Sequence, residues 1–126
     1  MRSASRWLAV LVYMAGLYIL SSRSDLPVPS ADGFDKLGHV ILYAGLAGVS
    51  LRALAGGRWA GVTPLSMGLA VLIVVAYGGT DEYHQAFVDG RTSELADVVA
   101  DATGGVLAVV AARVWVILST NDAMRP

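Results

Sequence analysis

Residues 94–118 read ELADVVADATGGVLAVVAARVWVIL, and this stretch decides the class of the fold. A helix that crosses the hydrocarbon core of a bilayer needs about 20 largely apolar residues, and this stretch is long enough. Eleven uncharged residues separate Asp101 from Arg113, so Asp101 must lie at or below the membrane interface. An ionised carboxylate there costs roughly 2.5–3.5 kcal/mol, which predicts that Asp101 faces the inside of a bundle and has a partner. The candidate partners are Lys36, His39 and Arg91.

The composition of the whole chain is that of a membrane protein. Of its 126 residues, 56% are hydrophobic and 15% are charged, and the mean hydropathy is +0.61. Such high hydrophobicity excludes a disordered chain. A nucleic-acid-binding protein is excluded because the net charge is −1 and no basic cluster exists. The absence of cysteine excludes disulfides and thiolate metal sites.

Four apolar segments divide the chain. The predicted fold is therefore all-α, an integral membrane bundle of four transmembrane helices in a single domain over residues 1–126. The spans are expected at approximately 7–22, 35–55, 64–80 and 94–118. The first has no A-x-A-like cleavage site after it, which favours an uncleaved anchor over a signal peptide.

Turn and capping residues mark the ends of these spans. Gly56-Gly57 is a helix-stop signal, Pro64 suits a first helical turn, and Ser93 is expected to cap the last helix. The proline-containing segment from residue 23 to residue 33 predicts a loop.

The distribution of charge predicts the orientation. With the N- and C-termini in the cytoplasm, six basic residues lie inside and three outside, in agreement with the positive-inside rule. The inner set is Arg2, Arg6, Arg52, Arg58, Arg113 and Arg125, and the outer set is Arg23, Lys36 and Arg91. Nine of the ten acidic residues then fall on the outer half, which indicates a functional surface there.

Helical spacing groups several of the outer polar residues. Asp35 and His39 are four residues apart and share a helix face, which Tyr43 continues one turn deeper. Asp97 and Asp101 have the same spacing in the last span.

A third group lies between spans three and four. Glu82 and Gln85 are helical neighbours, and the Asp89-Gly90 turn is expected to bring Arg91 back over the helix ends.

These three groups resemble the VanZ-like membrane family, which is named after a teicoplanin-resistance accessory protein. The matching stretches are DKLGHVILY at 35–43, EYHQAFVDGR at 82–91 and DVVADATG at 97–104, and the resemblance covers about residues 7–118. It implies a small multi-span envelope protein, linked in one case to glycopeptide tolerance. Asp101 stands where the family usually has Asn, and Asp89 stands where Pro is common.

Arg91, Glu82 and Gln85 allow two interpretations. An arginine suits bidentate recognition of a phosphate or another anionic head group. Alternatively, Arg91 pairs with Glu82 or Asp97 and merely clasps two helix ends together.

His39 is open to three interpretations. With Asp35 it could be a general base, and with Glu82, His84 or Asp97 it could ligate a metal, although no complete metal motif is present. The plainer expectation is a hydrogen-bonded histidine, with His84 facing solvent.

The last span carries two further features. Asp97 and Asp101 could form a proton relay or an acid–base pair, or they could hold helices together. Small residues at four-residue spacing predict close packing inside the bundle, with a homo-oligomer face as the alternative. They are Ala44, Gly48, Gly104, Ala108 and Ala112.

The sequence favours a binding protein. Its outer cluster is expected to bind an anionic cell-envelope or glycopeptide-related ligand, such as a lipid-linked or peptidoglycan-related head group, without a cofactor or metal. The candidate ligand-binding residues are Asp35, Lys36, His39, Tyr43, Glu82, Gln85, Arg91, Asp97 and Asp101.

The alternative is a membrane-embedded hydrolase or transferase that uses Glu82, His39 and the Asp97/Asp101 pair. A transporter ranks third, because spans one and three carry no charge. The expected partners are membrane lipids, with no nucleic acid.

Overall fold

The computed structural model describes residues 3–24 and 33–122, of which residues 121–122 are described by their backbone only. Within these ranges the chain forms four α-helices, one 3₁₀ turn at Trp59–Gly61 and no strand. The α-helices are α1 (Ser3–Ser21), α2 (Phe34–Leu54), α3 (Pro64–Gln85) and α4 (Leu95–Asp122). All four are long and apolar enough to cross a membrane, which confirms the predicted fold class.

The predicted stop and start signals around the second connection are confirmed. Gly56 and Gly57 have φ angles of 65° and 74°, a left-handed conformation that glycine adopts without strain. Thr63 then caps α3: its Oγ1 accepts from the Ser66 N–H, and the Ser66 Oγ accepts from the Thr63 N–H. Pro64 occupies the first turn, where its missing N–H costs nothing.

Several predicted boundaries are corrected. Helix α1 begins at Ser3, four residues before the expected start, and α4 ends at Asp122, four residues after the expected end. Helix α3 continues to Gln85, five residues beyond the expected end at residue 80, because its last polar side chains find partners on α1, α2 and the start of α4. Helix α4 begins at Leu95, so Glu94 and not Ser93 directly precedes it. Most of the predicted loop over residues 23–33 lies outside the described residues.

Helix α2 is the centre of the bundle and packs against the other three helices. It crosses α4 very closely, because a Cβ added to Gly104 would lie only 2.1 Å from the carbonyl oxygen of Val40. Gly105 lies less tightly against α3, where such a Cβ would be 3.1 Å from the side chain of Val74. The small-residue stripe of α4 therefore serves packing inside the bundle, at least at Gly104.

Helix α1 is held to the bundle by two tyrosines. Tyr13 donates to the carbonyl oxygen of Leu42 at 2.9 Å, and Tyr77 donates to that of Met14 at 2.6 Å. Large apolar side chains on the outer faces of the helices are exposed, as lipid contact requires. They include Leu11, Ile41, Leu72, Leu107 and Leu118.

Candidate functional site

The charged and polar side chains gather where α2 and α4 begin and α3 ends, a region that we call the acidic end. Its buried members are Asp81, Glu82, Gln85, Asp97 and Asp101, each exposed by 6% or less. Buried carboxylates need partners, because an isolated charge in a low dielectric is costly. The partners come from α1, α2 and α3 and from the backbone just before α4.

Lys36 joins the first turn of α2 to the start of α4. Its Nζ donates to Asp97 Oδ1 at 2.5 Å and to Glu94 Oε2 at 2.8 Å, and it lies 3.0 Å from Asp35 Oδ2. One cation therefore serves three carboxylates, of which only Asp97 is buried.

His39 is the partner of Asp101. The two are joined by a hydrogen bond of 2.8 Å between His39 Nδ1 and Asp101 Oδ1. His39 was one of three candidate partners, and Lys36 and Arg91 bind elsewhere. The second carboxylate oxygen of Asp101 faces α3 at Gly78, where a Cβ would lie 2.5 Å from it. The glycine therefore makes room for the carboxylate.

Asp81 connects three helices, although the sequence did not single it out as a site residue. Its Oδ1 accepts from Ser21 Oγ at 2.6 Å, and its Oδ2 accepts from Tyr43 Oη at 3.0 Å and from Gln85 Nε2 at 3.3 Å. The only sequence indication was its spacing of four residues from Gln85. Its other two partners lie 60 and 38 residues away along the chain.

Arg91 binds Gln85, so the predicted clasp with Glu82 or Asp97 is wrong. The Gln85 Oε1 accepts from Arg91 Nη2 at 2.7 Å and from Nε at 3.2 Å. The turn that returns Arg91 is as expected, with Gly90 at φ 79°. A guanidinium carries five N–H donors, and these two bonds fix its plane without using all of them.

Glu82 binds the backbone just before α4. Its Oε2 accepts from the backbone N–H of Glu94 at 3.0 Å, a favourable place for a carboxylate because a helix N-terminus is electropositive. Its Oε1 is buried and has no hydrogen-bond partner among the described residues.

The two histidines lie in different surroundings. His84, expected to face solvent, is half-buried against α1, where it meets Ser22 Oγ at 3.0 Å and stacks on Tyr18. His39 lies near Glu82 and Asp97, and one potential ligand atom from each of these three residues falls within 4.8 Å of the others. Of the metal sets considered from sequence, the structure assembles only this one within its described part.

A cavity of about 210 Å³ opens among α1, α2 and α3 at the acidic end. Its apolar lining includes Leu17, Leu20, Phe34 and Leu42. Its polar lining includes Asp35, His39, Tyr43, Asp81, Gln85 and Arg91. Lys36, Glu82, Asp97 and Asp101 lie on the α4 side, outside this lining. The predicted site is thus divided into a cavity and a buried cluster, with His39 between them.

The family model VanZ/LLP1 matches residues 4–117 of the chain. The chain belongs to the VanZ/LLP1 family. No curated protein and no solved structure matches it. The match confirms the resemblance drawn from three polar motifs, and together with the four apolar helices it makes this VanZ/LLP1 protein a multi-pass membrane protein.

The three motifs have distinct places in this VanZ/LLP1 protein. The first supplies Lys36 and His39 to the buried cluster and Tyr43 to the cavity. The second supplies the Gln85–Arg91 pair to the cavity and Glu82 to the start of α4. The third supplies Asp97, Asp101 and the close α2–α4 contact at Gly104. Each motif therefore contributes side chains to the acidic end, and the third also contributes the close packing of α2 against α4.

Proposed function

We propose that the cavity at the acidic end binds the anionic head group of a lipid-linked cell-envelope component. The observation that carries this proposal is that Arg91 lies in the lining of a cavity that has an apolar wall, formed by three leucines and Phe34, beside its polar side chains. An amphiphile with a phosphate or carboxylate group matches both parts of that surface. Membrane lipids surround the bundle, so such a ligand can enter from the bilayer.

The guanidinium is held ready for an anion. Gln85 orients Arg91, and Asp81 in turn accepts from the Gln85 amide. A guanidinium whose plane is already fixed loses less conformational entropy on binding and suits bidentate contact with a phosphate.

The size of the cavity limits the ligand. Pockets for drug-sized molecules measure about 300–1,000 Å³, whereas this cavity measures about 210 Å³. It suits a head group with the first part of its chain and not a whole glycopeptide. Any effect of this protein on glycopeptide tolerance would then act through an envelope component.

Farnesyl phosphate is a suitable probe, with farnesol as its uncharged counterpart. We expect purified protein in detergent to bind farnesyl phosphate, and Arg91→Ala to weaken binding about 10- to 100-fold, since a charged hydrogen bond contributes about 1.5–3 kcal/mol. Calorimetric titration measures both affinities. The matched control is Arg58→Ala, which removes an exposed arginine outside this cavity. Equal affinity of wild type and Arg91→Ala, or equal binding of farnesol, would contradict the proposal.

We also propose that the acidic end faces outward and that both termini are cytoplasmic, as the six-to-three distribution of basic residues supports. The chain has no cysteine, so single cysteines can report on each side. A membrane-impermeant maleimide should label Asp89→Cys in intact cells and label Arg58→Cys only after lysis. The reverse pattern would invert the orientation.

A second candidate function is a membrane-embedded hydrolase or transferase. It is favoured by the carboxylate of Glu82, which has one unpartnered oxygen and lies close to the imidazole of His39. A carboxylate and an imidazole at this distance can serve as general base and general acid. It predicts that farnesyl diphosphate changes mass with wild type and not with Glu82→Gln. An unchanged mass with wild type would count against this alternative and leave the binding proposal standing.

A further inference from the structure

The buried cluster contains a set of donor atoms that the head-group proposal does not use. Three helices each supply one member: His39 from α2, Glu82 from α3 and Asp97 from α4. One ligand atom of each lies within 4.8 Å of the others. One imidazole nitrogen and two carboxylate oxygens are donors that zinc accepts.

The imidazole is oriented as a metal ligand usually is. Asp101 holds His39 through Nδ1, and a carboxylate that accepts from Nδ1–H leaves the Nε2 lone pair available. Nε2 lies 3.9 Å from Asp97 Oδ2, too far for a hydrogen bond. Two ligands of a tetrahedral zinc ion, each about 2.1 Å from it, lie roughly 3.4 Å apart. These two atoms are about half an ångström further apart than that, so a small side-chain movement would let them share an ion.

An independent observation comes from Glu82. This residue is only 5% exposed. The Ser93 hydroxyl lies close to its carboxylate, but the Oε1 atom itself has no hydrogen-bond partner among the described residues. An unsatisfied buried carboxylate oxygen is costly, and a bound cation would satisfy it. The other oxygen, Oε2, is held by the backbone N–H of Glu94, which limits how far the side chain can turn away.

Lys36 leaves one oxygen of Asp97 for the ion. The ammonium binds Oδ1, whereas Oδ2 is the oxygen nearer to His39. Three protein ligands with a fourth position open is the arrangement of zinc sites that bind a further ligand.

We infer that His39 Nε2, Glu82 and Asp97 form a binding site for a divalent transition metal ion of the zinc type, with Asp101 positioning His39. Because the three ligands come from three different helices, no spacing in the sequence predicts the site. The site goes beyond the head-group proposal and does not depend on Arg91.

Cobalt and zinc are the probes, and neither requires a lipid ligand. Tag-free protein in detergent is stripped with a chelator and then titrated with Zn²⁺ by calorimetry and with Co²⁺ by visible absorption. We expect one saturable equivalent per chain and Co²⁺ ligand-field bands. His39→Ala and Glu82→Gln should each weaken binding at least tenfold, whereas His84→Ala should bind as wild type does.

His84→Ala is a matched control, because it removes the other histidine of the chain, which lies on the α1 side and away from the proposed site. Circular dichroism and gel filtration check that each variant is folded. If His39→Ala does not fold, Glu82→Gln carries the test, since it preserves size and one carbonyl oxygen. Absence of saturable binding to wild type, unchanged binding to folded Glu82→Gln, or loss of binding in folded His84→Ala would overturn the inference.

Discussion

The two ends of the bundle treat their charges in opposite ways. At the acidic end, the carboxylates of Asp97 and Asp101 are buried and are held by Lys36 and His39. At the opposite end, which we call the arginine end, Arg52 and Arg58 are exposed beside a cavity of about 280 Å³. Buried carboxylates with specific partners hold the helices in one arrangement, whereas exposed arginines can reach lipid head groups and water.

This difference favours the acidic end as the functional one. Long arginine side chains at a helix end commonly snorkel to the interface, and Trp59 beside them is a typical interfacial anchor. Arg113 is an exception, because its Nη1 donates to the carbonyl oxygen of Val62 at 3.1 Å and so ties α4 to the turn before α3. Burying several carboxylates, by contrast, is costly for a membrane protein and is usually linked to function. Changes at the two ends should therefore have unequal effects.

The largest difference should come from adding one methyl group at each end. Gly104→Ala places a Cβ against the Val40 carbonyl and forces α2 and α4 apart, so we expect a loss of about 3 kcal/mol or more in the free energy of unfolding. Gly48→Ala, beside the arginine-end cavity, meets nothing within 4 Å and should be neutral or stabilising by up to about 1 kcal/mol. Unfolding by SDS in mixed micelles measures both. Equal effects would contradict the close crossing at the acidic end.

Removing one cation from each end should give a smaller difference. Lys36→Met leaves buried Asp97 without its cation, and we expect a loss of about 2 kcal/mol. Arg58→Met removes an exposed charge and should change stability by less than about 0.5 kcal/mol. The same unfolding assay applies. A Lys36→Met protein as stable as wild type would show that the acidic-end pair contributes little.

Two tyrosine hydroxyls allow a finer comparison within the bundle. Tyr43→Phe removes a buried donor from Asp81, which has Ser21 and Gln85 as further donors, so we expect a loss of about 1–2 kcal/mol. Tyr13→Phe removes a half-buried bond to a backbone carbonyl and should cost about 0.5–1 kcal/mol. A larger loss for Tyr13→Phe would make the attachment of α1, and not the Asp81 contacts, the stronger constraint.

The smallest effect should come from Asp101→Asn, which keeps the size of the side chain and one oxygen that can accept a hydrogen bond. The Asn oxygen can still accept from His39, and a buried negative charge is removed, so we expect a change below about 1 kcal/mol in stability. A loss of several kcal/mol would instead show that the charge of Asp101 is essential to the fold.

The sequence predicted the helices better than it predicted the site. Apolar length placed all four spans, and Gly56 and Pro64 marked real ends, because these signals are local. The extension of α3 to Gln85 was missed because partners on other helices stabilise its polar last turn.

The contacts of the site depended on tertiary structure. Spacing correctly placed Asp35, His39 and Tyr43 on one helix, but the Asp81–Ser21 bond joins residues 60 positions apart. The convergence of His39, Glu82 and Asp97 likewise requires three helices to pack. Hydrophobic periodicity determines which segments are helical, whereas the crossing of those helices decides which side chains meet.

We propose above all that a ligand binds at the acidic end and not at the arginine end. The direct measurement is photo-crosslinking with a prenyl phosphate that carries a diazirine near the phosphate, followed by mass-spectrometric mapping of the labelled peptides. We predict adducts around Leu17, Leu20 and Leu42, which line the acidic-end cavity, and loss of these adducts in Arg91→Ala. Adducts concentrated around Gly48, Trp59 and Ala108, which line the arginine-end cavity, would instead place ligand binding at the arginine end.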